Sequence, residues 1–280
     1  MTVSELLNKG KSILKNNSVD NSSNEAQWIF ESVFECGREY AIFNGNEIAD
    51  SEKENRYLKK IDERISGVPV QYVIGSWDFY GETFKVGEGV LIPRPETEML
   101  VDFALEYLEG KKSPVVLDLC SGSGCVGLSV AKNIPHSKVY LIEKSSDALK
   151  YLIKNLEIIG CKNADAIQGD IFDGFENFGI PKPDLILSNP PYIESNEIPL
   201  LQSEVLKEPV MALDGGGDGL DFYRAIEEKW LGFCNGAIAV ECGEGQTDFI
   251  ENLFADKCGE IYSLTDFNGI RRVVVGKEIK

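Results

Sequence analysis

The chain of 280 residues has 28 Lys and Arg residues against 46 Asp and Glu residues, which gives a formal net charge of −18. It has no long Lys/Arg cluster of the kind that binds a nucleic-acid backbone, so we expect no direct nucleic-acid binding. No apolar run approaches transmembrane length, and the seven cysteines are scattered without a Cys-x-x-Cys pair. The short apolar runs predict that the chain has no membrane-spanning segment. The scattered cysteines are typical of the reduced thiols of a cytoplasmic protein. The single histidine, His136, argues against a metal site such as zinc.

The first 71 residues carry three amphipathic helical patterns. Apolar residues recur at helical spacing, and each pattern follows a Ser/Thr-x-x-Glu signal that is typical of a capping box. Gly67 is predicted to end the third helix. Residues 1–71 are therefore predicted to form a small helical domain. The three capping signals are Thr2-x-x-Glu5, Ser22-x-x-Glu25 and Ser51-x-x-Glu54.

Between residues 72 and 95 the apolar period becomes strand-like. Two short strand patterns flank Gly81, and a third covers residues 90–92 after Gly87-Glu88-Gly89. Residues 72–95 are therefore predicted to form a β-hairpin linker. Pro95 is predicted to begin a helix that ends at Gly110, within a last domain that covers residues 96–280.

From residue 114 onward, apolar runs of strand length alternate with helical patterns. The alternation predicts an α/β fold with a mostly parallel, Rossmann-like sheet covered on both faces and closed by an antiparallel hairpin around Asn268-Gly269. The predicted strands are Val115–Leu119, Lys138–Glu143, Ala164–Gln168, Asp184–Ser188 and Gly236–Glu241. The predicted helices are Val126–Asn133, Ala148–Ile159, Leu220–Leu231 and Thr247–Phe254. Ligands of such sheets bind at the carboxyl ends of the strands.

The first of these strands runs into a glycine-rich turn. Gly122-x-Gly124-x-x-Gly127 matches the dinucleotide-binding pattern, which leaves a nicotinamide cofactor as one interpretation. Asp118 disfavours that interpretation, because a carboxylate beside the turn would repel a pyrophosphate. The same carboxylate would attract the ammonium and sulfonium charges of S-adenosyl-L-methionine. Glycines without Cβ atoms allow the backbone to approach either ligand closely.

Acidic residues also end the next two predicted strands. Glu143 could accept hydrogen bonds from both ribose hydroxyls of a nucleoside. Asp170 could accept one from an adenine amino group, while Ile171 packs on the ring. The predicted cofactor contacts are Asp118, Cys120, Ser121, Gly122, Ser123, Gly124, Glu143, Asp170, Ile171 and Asn189.

The most specific motif, Asn189-Pro190-Pro191-Tyr192, follows the fourth predicted strand. Two prolines fix the backbone and remove two donors, which leaves carbonyl groups free to face a cleft. The Asn189 side-chain oxygen and the Pro190 carbonyl could both accept hydrogen bonds from one NH2 group, and Tyr192 could pack against its planar group. These four residues are the predicted catalytic residues for methyl transfer to an amide or aromatic amine.

With these motifs, the chain resembles the HemK/PrmC family of protein-(glutamine-N5) methyltransferases. The similarity spans nearly the whole chain, and its most selective stretch is Ile-Pro-Arg-Pro-Glu-Thr-Glu, which ends at Glu98. Further similar segments are Gly67–Gly75, Phe79–Gly81, Asp118–Gly124, Asn189–Tyr192, Glu208-Pro209, Leu213–Gly216 and Arg272–Gly276.

The resemblance implies a class I S-adenosyl-L-methionine-dependent methyltransferase domain at residues 96–280. Its substrate would be the glutamine of a Gly-Gly-Gln loop in a peptide-chain release factor. Cys120 to Gly124, Glu143 and Asn189 would contact the cofactor, and residues 189–192 would form the glutamine pocket. The helical domain, residues 1–71, would help to recognise the release factor.

Three other interpretations remain at this point. A sibling enzyme would methylate a glutamine of a ribosomal protein. An adenine-N6 methyltransferase shares the Asn-Pro-Pro-Tyr motif, but no basic surface or target-recognition domain is visible in the sequence. A non-catalytic cofactor-binding protein would have no need for two acceptors that face a second ligand.

Overall fold

The structure is a computed structural model that describes residues 1–280. None of its helices combines the length and the hydropathy that crossing a bilayer requires. The helices are α1 (Val3–Asn16), α2 (Ser22–Phe34), α3 (Tyr40–Phe43), α4 (Ser51–Ile65), α5 (Val70–Ile74), α6 (Glu98–Leu108), α7 (Cys125–Asn133), α8 (Ser146–Ile159), α9 (Asp221–Lys229) and α10 (Thr247–Phe254). The strands are β1 (Ser76–Phe79), β2 (Glu82–Lys85), β3 (Val115–Leu119), β4 (Lys138–Glu143), β5 (Ala164–Gln168), β6 (Leu185–Ser188), β7 (Ala237–Glu241), β8 (Glu260–Thr265) and β9 (Arg271–Lys277).

The chain divides into two compact units. The first contains residues 1–76 and 202–207, and the second contains residues 77–201 and 208–280. The three domains predicted from the sequence, with boundaries at residues 71 and 95, stay a prediction.

The first unit is helical because three amphipathic helices bury their apolar faces against one another. Leu6, Phe30, Tyr57 and Ile61 have no exposed surface. The predicted capping box is confirmed at α1, where the Thr2 side chain accepts from the amide of Glu5 and the Glu5 side chain accepts from that of Thr2.

The other two predicted caps are wrong by one residue. Helix α2 begins at Ser22, and the residue before it, Asn21, makes no side-chain cap. Helix α4 is capped by Asp50, whose carboxylate accepts from the amides of Glu52 and Lys53. Asp50 caps the helix because its ionised carboxylate also interacts favourably with the positive end of the helix dipole at the N-terminus.

A buried arginine connects segment 202–207 to the helices of the first unit. The Arg64 side chain is 5% exposed and forms ion pairs with Glu25 and Glu204. Loss of these carboxylates would leave the buried Arg64 guanidinium unpaired, which would strongly destabilise the fold. Segment 202–207 is therefore held by its ion pair with Arg64 as well as by packing.

The second unit contains the predicted hairpin and a seven-stranded sheet. Strands β1 and β2 pair with each other, and the sheet has the strand order β5-β4-β3-β6-β7-β9-β8. All neighbouring pairs from β5 to β7 are parallel, and β9 is antiparallel to both β7 and β8. The predicted fold class is confirmed. The order reverses direction between β3 and β6, and this switch point opens a crevice at the carboxyl ends of those strands.

Helices cover both faces of the sheet. On one face, Val116 of β3 packs in a core with Leu100 of α6 and Leu128 of α7. On the other face, Leu117 packs in a core with Ile226 of α9 and Ile250 of α10. Because side chains alternate along a strand, the next residue of β3, Asp118, returns to the first face, below α7.

The strand predicted at residues 90–92 is wrong. These residues form no strand, although Val90 and Ile92 are at most 1% exposed. Their apolar alternation reflects burial of a loop, and the prolines at positions 93 and 95 cannot donate the hydrogen bonds that a strand ladder needs.

Candidate active site at the carboxyl ends of the strands

One cavity, partly open to solvent, lies where β3, β4, β5 and β6 end. It brings together most of the site residues predicted from sequence. Those that line it are Asp118, Cys120, Ser121, Gly122, Ser123, Glu143, Asp170, Ile171, Asn189 and Pro191. Gly124, Pro190 and Tyr192 are not among the lining residues.

The three glycines of the glycine-rich motif meet two different structural requirements. Gly122 and Gly124 have φ values of 55° and 81°, in the left-handed region where glycine is favoured. Gly127 lies inside α7, and a Cβ there would come within 2.7 Å of Leu141 Cδ2 and 2.9 Å of Asp118 Oδ2. The third glycine of the motif therefore permits close packing of α7 on the sheet.

Asp118 lies beneath this turn, 1% exposed. Its Oδ2 accepts a hydrogen bond of 2.9 Å from the Gly127 amide. Burial raises the pKa of Asp118 to about 7; the Gly127 amide opposes the rise, and the nearby charge of Glu143 adds to it. A cationic group in the cavity would favour the ionised carboxylate.

Glu143, at the end of β4, is held by backbone amides on both sides. Its Oε2 accepts from Gly122 at 2.8 Å and its Oε1 accepts from Ser145 at 2.6 Å. Burial raises the pKa of Glu143, and the two amides oppose that effect. Each carboxylate oxygen keeps a further lone pair, so the group is oriented and can still accept from a ligand.

Asp170 and Ile171 follow β5 at the cavity wall. Asp170 Oδ1 accepts from the Phe172 amide at 3.0 Å, and Oδ2 pairs with Lys144 Nζ at 2.7 Å. Burial alone would raise the pKa of Asp170, but the Lys144 ammonium and the Phe172 amide bring it below its usual value. Ile171 is 3% exposed, and its carbonyl accepts from Trp230 Nε1.

The Asn-Pro-Pro-Tyr loop presents one polar side chain to the cavity. Asn189 Nδ2 donates to Thr97 Oγ1 at 3.1 Å, and Asn189 Oδ1 has no partner within the chain. Pro190 and Pro191 are buried. The Tyr192 carbonyl accepts from Gln246 Nε2 at 2.9 Å, and the Tyr192 ring packs against the core beneath α9 and α10. The predicted roles of Pro190 and Tyr192 at a substrate stay predictions.

Two cavity-wall residues without a sequence-based role are Arg94 and Thr97. Arg94 forms an ion pair with Glu208, which is 4% exposed and whose Oε2 also accepts from the Ile92 amide at 3.0 Å. Both Arg94 and Thr97 belong to the stretch that resembles the HemK/PrmC family. That resemblance was the one sequence signal for them, because their partners lie on the order of a hundred residues away in the chain.

Comparisons with known proteins agree with this geometry. Residues 5–75 match the family model described as PrmC N-terminal domain, and residues 97–220 match the one described as Methyltransferase small domain. The release factor glutamine methyltransferase of Thermodesulfovibrio yellowstonii is 38% identical over 91% of this chain and 92% of the relative. That of Geobacter sulfurreducens is 34% identical over 99% of this chain and 96% of the relative. The chain belongs to the release factor glutamine methyltransferase family. The resemblance found in the sequence is therefore confirmed.

Solved structures show the same fold at low identity to this family member. The hMettl16 catalytic domain in complex with a MAT2A 3′UTR hairpin has a TM-score of 0.58 and 11% identity, covering 82% of this chain and 84% of that one. A Thermus thermophilus 16S rRNA N2 G1207 methyltransferase in complex with AdoMet and guanosine has a TM-score of 0.51 and 20% identity, covering 72% and 49%. These structures share the fold of this chain, and together with the match to the Methyltransferase small domain they confirm the predicted methyltransferase fold.

Proposed function

We propose that the chain transfers a methyl group from S-adenosyl-L-methionine to the side-chain amide nitrogen, N5, of the glutamine in the Gly-Gly-Gln motif of a peptide-chain release factor. The observation that carries the proposal is the shared cavity of Asp118, Glu143 and Asn189. Two buried carboxylates lie at its glycine turn, and an unpartnered amide oxygen lies at its proline loop. The names of the relatives support the release factor as substrate.

The residues present fit the cofactor. Asp118 and Glu143 are acidic and nearly fully buried, and a cationic ligand relieves the electrostatic cost of ionising both. The pyrophosphate of a dinucleotide would increase that cost instead. Glu143 has free lone pairs for ribose hydroxyls, and Ile171 offers an apolar surface for a base. Cys120, Ser121, Gly122, Ser123 and Asp170 complete the proposed cofactor side of the cavity.

The chain's part in the chemistry is alignment. S-adenosyl-L-methionine supplies a methyl group already activated on a sulfonium, so the protein has to orient the amide nitrogen and exclude water. Asn189 Oδ1 would accept an N–H of the glutamine amide. As the nitrogen forms its bond to carbon, that N–H becomes more acidic, so the hydrogen bond to Asn189 strengthens in the transition state. The nitrogen then releases one proton to solvent, which leaves N5-methylglutamine and S-adenosyl-L-homocysteine.

Two alternatives are less well supported. The relatives are named for release factors, which favours a release factor over a ribosomal protein as the substrate.

The net charge of −18 disfavours a nucleic-acid substrate, although the Asn-Pro-Pro-Tyr motif would also suit an adenine amino group. Translation termination would place the enzyme in the cytoplasm.

The test is incubation of the protein with labelled S-adenosyl-L-methionine and a panel of purified release factors and ribosomal proteins. We expect label on a release factor with the wild-type protein and none with Asn189→Ala, while Asn189→Ala still binds the cofactor. The matched control is Asn252→Ala, since Asn252 is exposed on α10 and its side chain bonds only to the Asp248 carbonyl. Undiminished labelling by Asn189→Ala would contradict the role of Asn189, and label on ribosomal proteins alone would favour the sibling activity.

A further inference from the structure

An asparagine that binds a substrate NH2 group has to present its oxygen. Its side-chain amide has an acceptor end and a donor end of nearly the same shape, and a half-turn of the amide exchanges them. With the donor end toward the cavity, the N–H groups of the Asn189 side chain would face the N–H groups of the substrate, and no hydrogen bond could form between them. A fixed orientation therefore requires a neighbour that can only accept from Asn189.

Thr97 is placed to be that neighbour. It ends the 3₁₀ turn Pro95–Thr97, lines the cavity and is 2% exposed. Its Oγ1 lies 3.1 Å from Asn189 Nδ2. A threonine hydroxyl has one proton and two lone pairs, so by itself it could donate to an amide oxygen as readily as accept from an amide nitrogen.

Glu241, the last residue of β7, removes this ambiguity. It is 2% exposed, its Oε2 has no hydrogen-bond partner, and its carboxylate lies near enough to Thr97 for the hydroxyl to lower the pKa of Glu241. A Thr97 proton directed to this unpaired buried carboxylate leaves only lone pairs toward Asn189. The donor end of Asn189 then faces Thr97, and its oxygen faces the cavity.

We infer that Thr97, oriented by the Glu241 carboxylate, is a positioning residue that holds the Asn189 amide with its oxygen toward the substrate amide. The inference rests on the proposed function, since it assigns an orientation to the Asn189 side-chain amide in the same pocket. It also gives a role to the threonine of the Ile-Pro-Arg-Pro-Glu-Thr-Glu stretch, which the proposed chemistry leaves without one.

The mechanism implies a dependence on pH. Burial raises the pKa of Glu241 to about 7, with the Thr97 hydrogen bond opposing this and the charge of Glu96 adding to it. A protonated Glu241 can donate to Thr97, and the Thr97 proton is then free to turn toward Asn189. The Asn189 amide is therefore held with its oxygen toward the cavity above a pH of about 7, and this orientation is lost below it. The titratable and charged groups around Glu241 are Glu96, Arg94, Arg272, Tyr192, Tyr223, Cys125 and Cys242.

The first test compares Thr97→Val, which keeps the shape and removes the hydroxyl, with Thr97→Ser, which keeps the hydroxyl. We expect Thr97→Val to lower kcat for release factor methylation by about tenfold, with unchanged S-adenosyl-L-methionine affinity. Thr97→Ser is expected to recover most of that loss. Thr265→Val is the matched control, because Thr265 is exposed at the end of β8.

The second test is the pH profile of kcat at saturating concentrations of both substrates. In the wild type, we expect kcat to fall as the pH drops through about 7, and in Thr97→Val this fall should disappear. A wild-type kcat in Thr97→Val, equal losses in Thr97→Val and Thr97→Ser, or lost cofactor binding in Thr97→Val would overturn the positioning role and leave the proposed function intact. A wild-type protein that methylates no release factor would overturn both.

Discussion

The packing of α7 on the sheet makes Gly127 a sensitive position. An alanine Cβ at Gly127 would lie 2.7 Å from Leu141 Cδ2 and 2.9 Å from Asp118 Oδ2, closer than real Cβ contacts. Overpacking of this kind costs about 1–3 kcal/mol, and alanine regains up to about 1 kcal/mol of helix propensity. We expect Gly127→Ala to lower the free energy of unfolding by about 1 kcal/mol. Because Asp118 has to move, we also expect its charge-assisted hydrogen bond to weaken and S-adenosyl-L-methionine affinity to fall by about tenfold.

The assay combines urea denaturation with calorimetric titration of the cofactor. The matched control is Gly232→Ala, because Gly232 lies in the 3₁₀ turn Leu231–Phe233 with no atom within 4 Å of its would-be Cβ. The control should keep wild-type cofactor affinity and stability within about 0.5 kcal/mol. If Gly127→Ala matched the wild type in both measurements, or if Gly232→Ala lost as much, the packing role assigned to Gly127 would be refuted.

Two further predictions concern Asp118, which lines the cavity, and Asn155, which bonds to the cavity residue Ser123. Because the cation favours ionised Asp118, whose pKa without ligand is raised to about 7, calorimetry should show S-adenosyl-L-methionine affinity falling as the pH drops below 7, by at most about tenfold per pH unit. A flat affinity between pH 5 and 8 would contradict this. Asn155→Ala should lower the free energy of unfolding by about 2–4 kcal/mol in urea titrations, because buried Asn155 bonds to both backbone groups of Lys85 and to the Ser123 carbonyl. A loss no larger than that of Asn252→Ala would contradict it.

The sheet could be predicted closely because its central strands β3, β6 and β7 are buried on both sides. Strands β3, β4 and β5 were predicted with the bounds that the structure has. For β3 and β4 the reason is that mostly apolar short runs between helical patterns are typical of parallel strands with both faces covered. The short helices α3 and α5, of 4 and 5 residues, were not predicted, because one turn of helix is too short to establish a period.

The site could be predicted only in part. Residues at strand ends, such as Glu143 and Asn189, follow from the rule that parallel strands share one edge. Met211 and Phe222 also line the cavity, but Met211 lies in the 3₁₀ turn Val210–Ala212 and Phe222 in the first turn of α9, and no sequence motif marks either as a site residue. The link from Thr97 to Asn189 joins positions 92 residues apart, which a single sequence cannot reveal.

The most direct test of the proposed activity is peptide mapping by mass spectrometry of a release factor incubated with the wild-type protein and S-adenosyl-L-methionine. One methyl group on the glutamine side chain of the Gly-Gly-Gln motif is the predicted result, and it should be absent when Asn189→Ala replaces the wild type. A methyl group on any other residue, or an unmodified release factor under conditions in which the wild-type protein binds the cofactor, would contradict the proposed function.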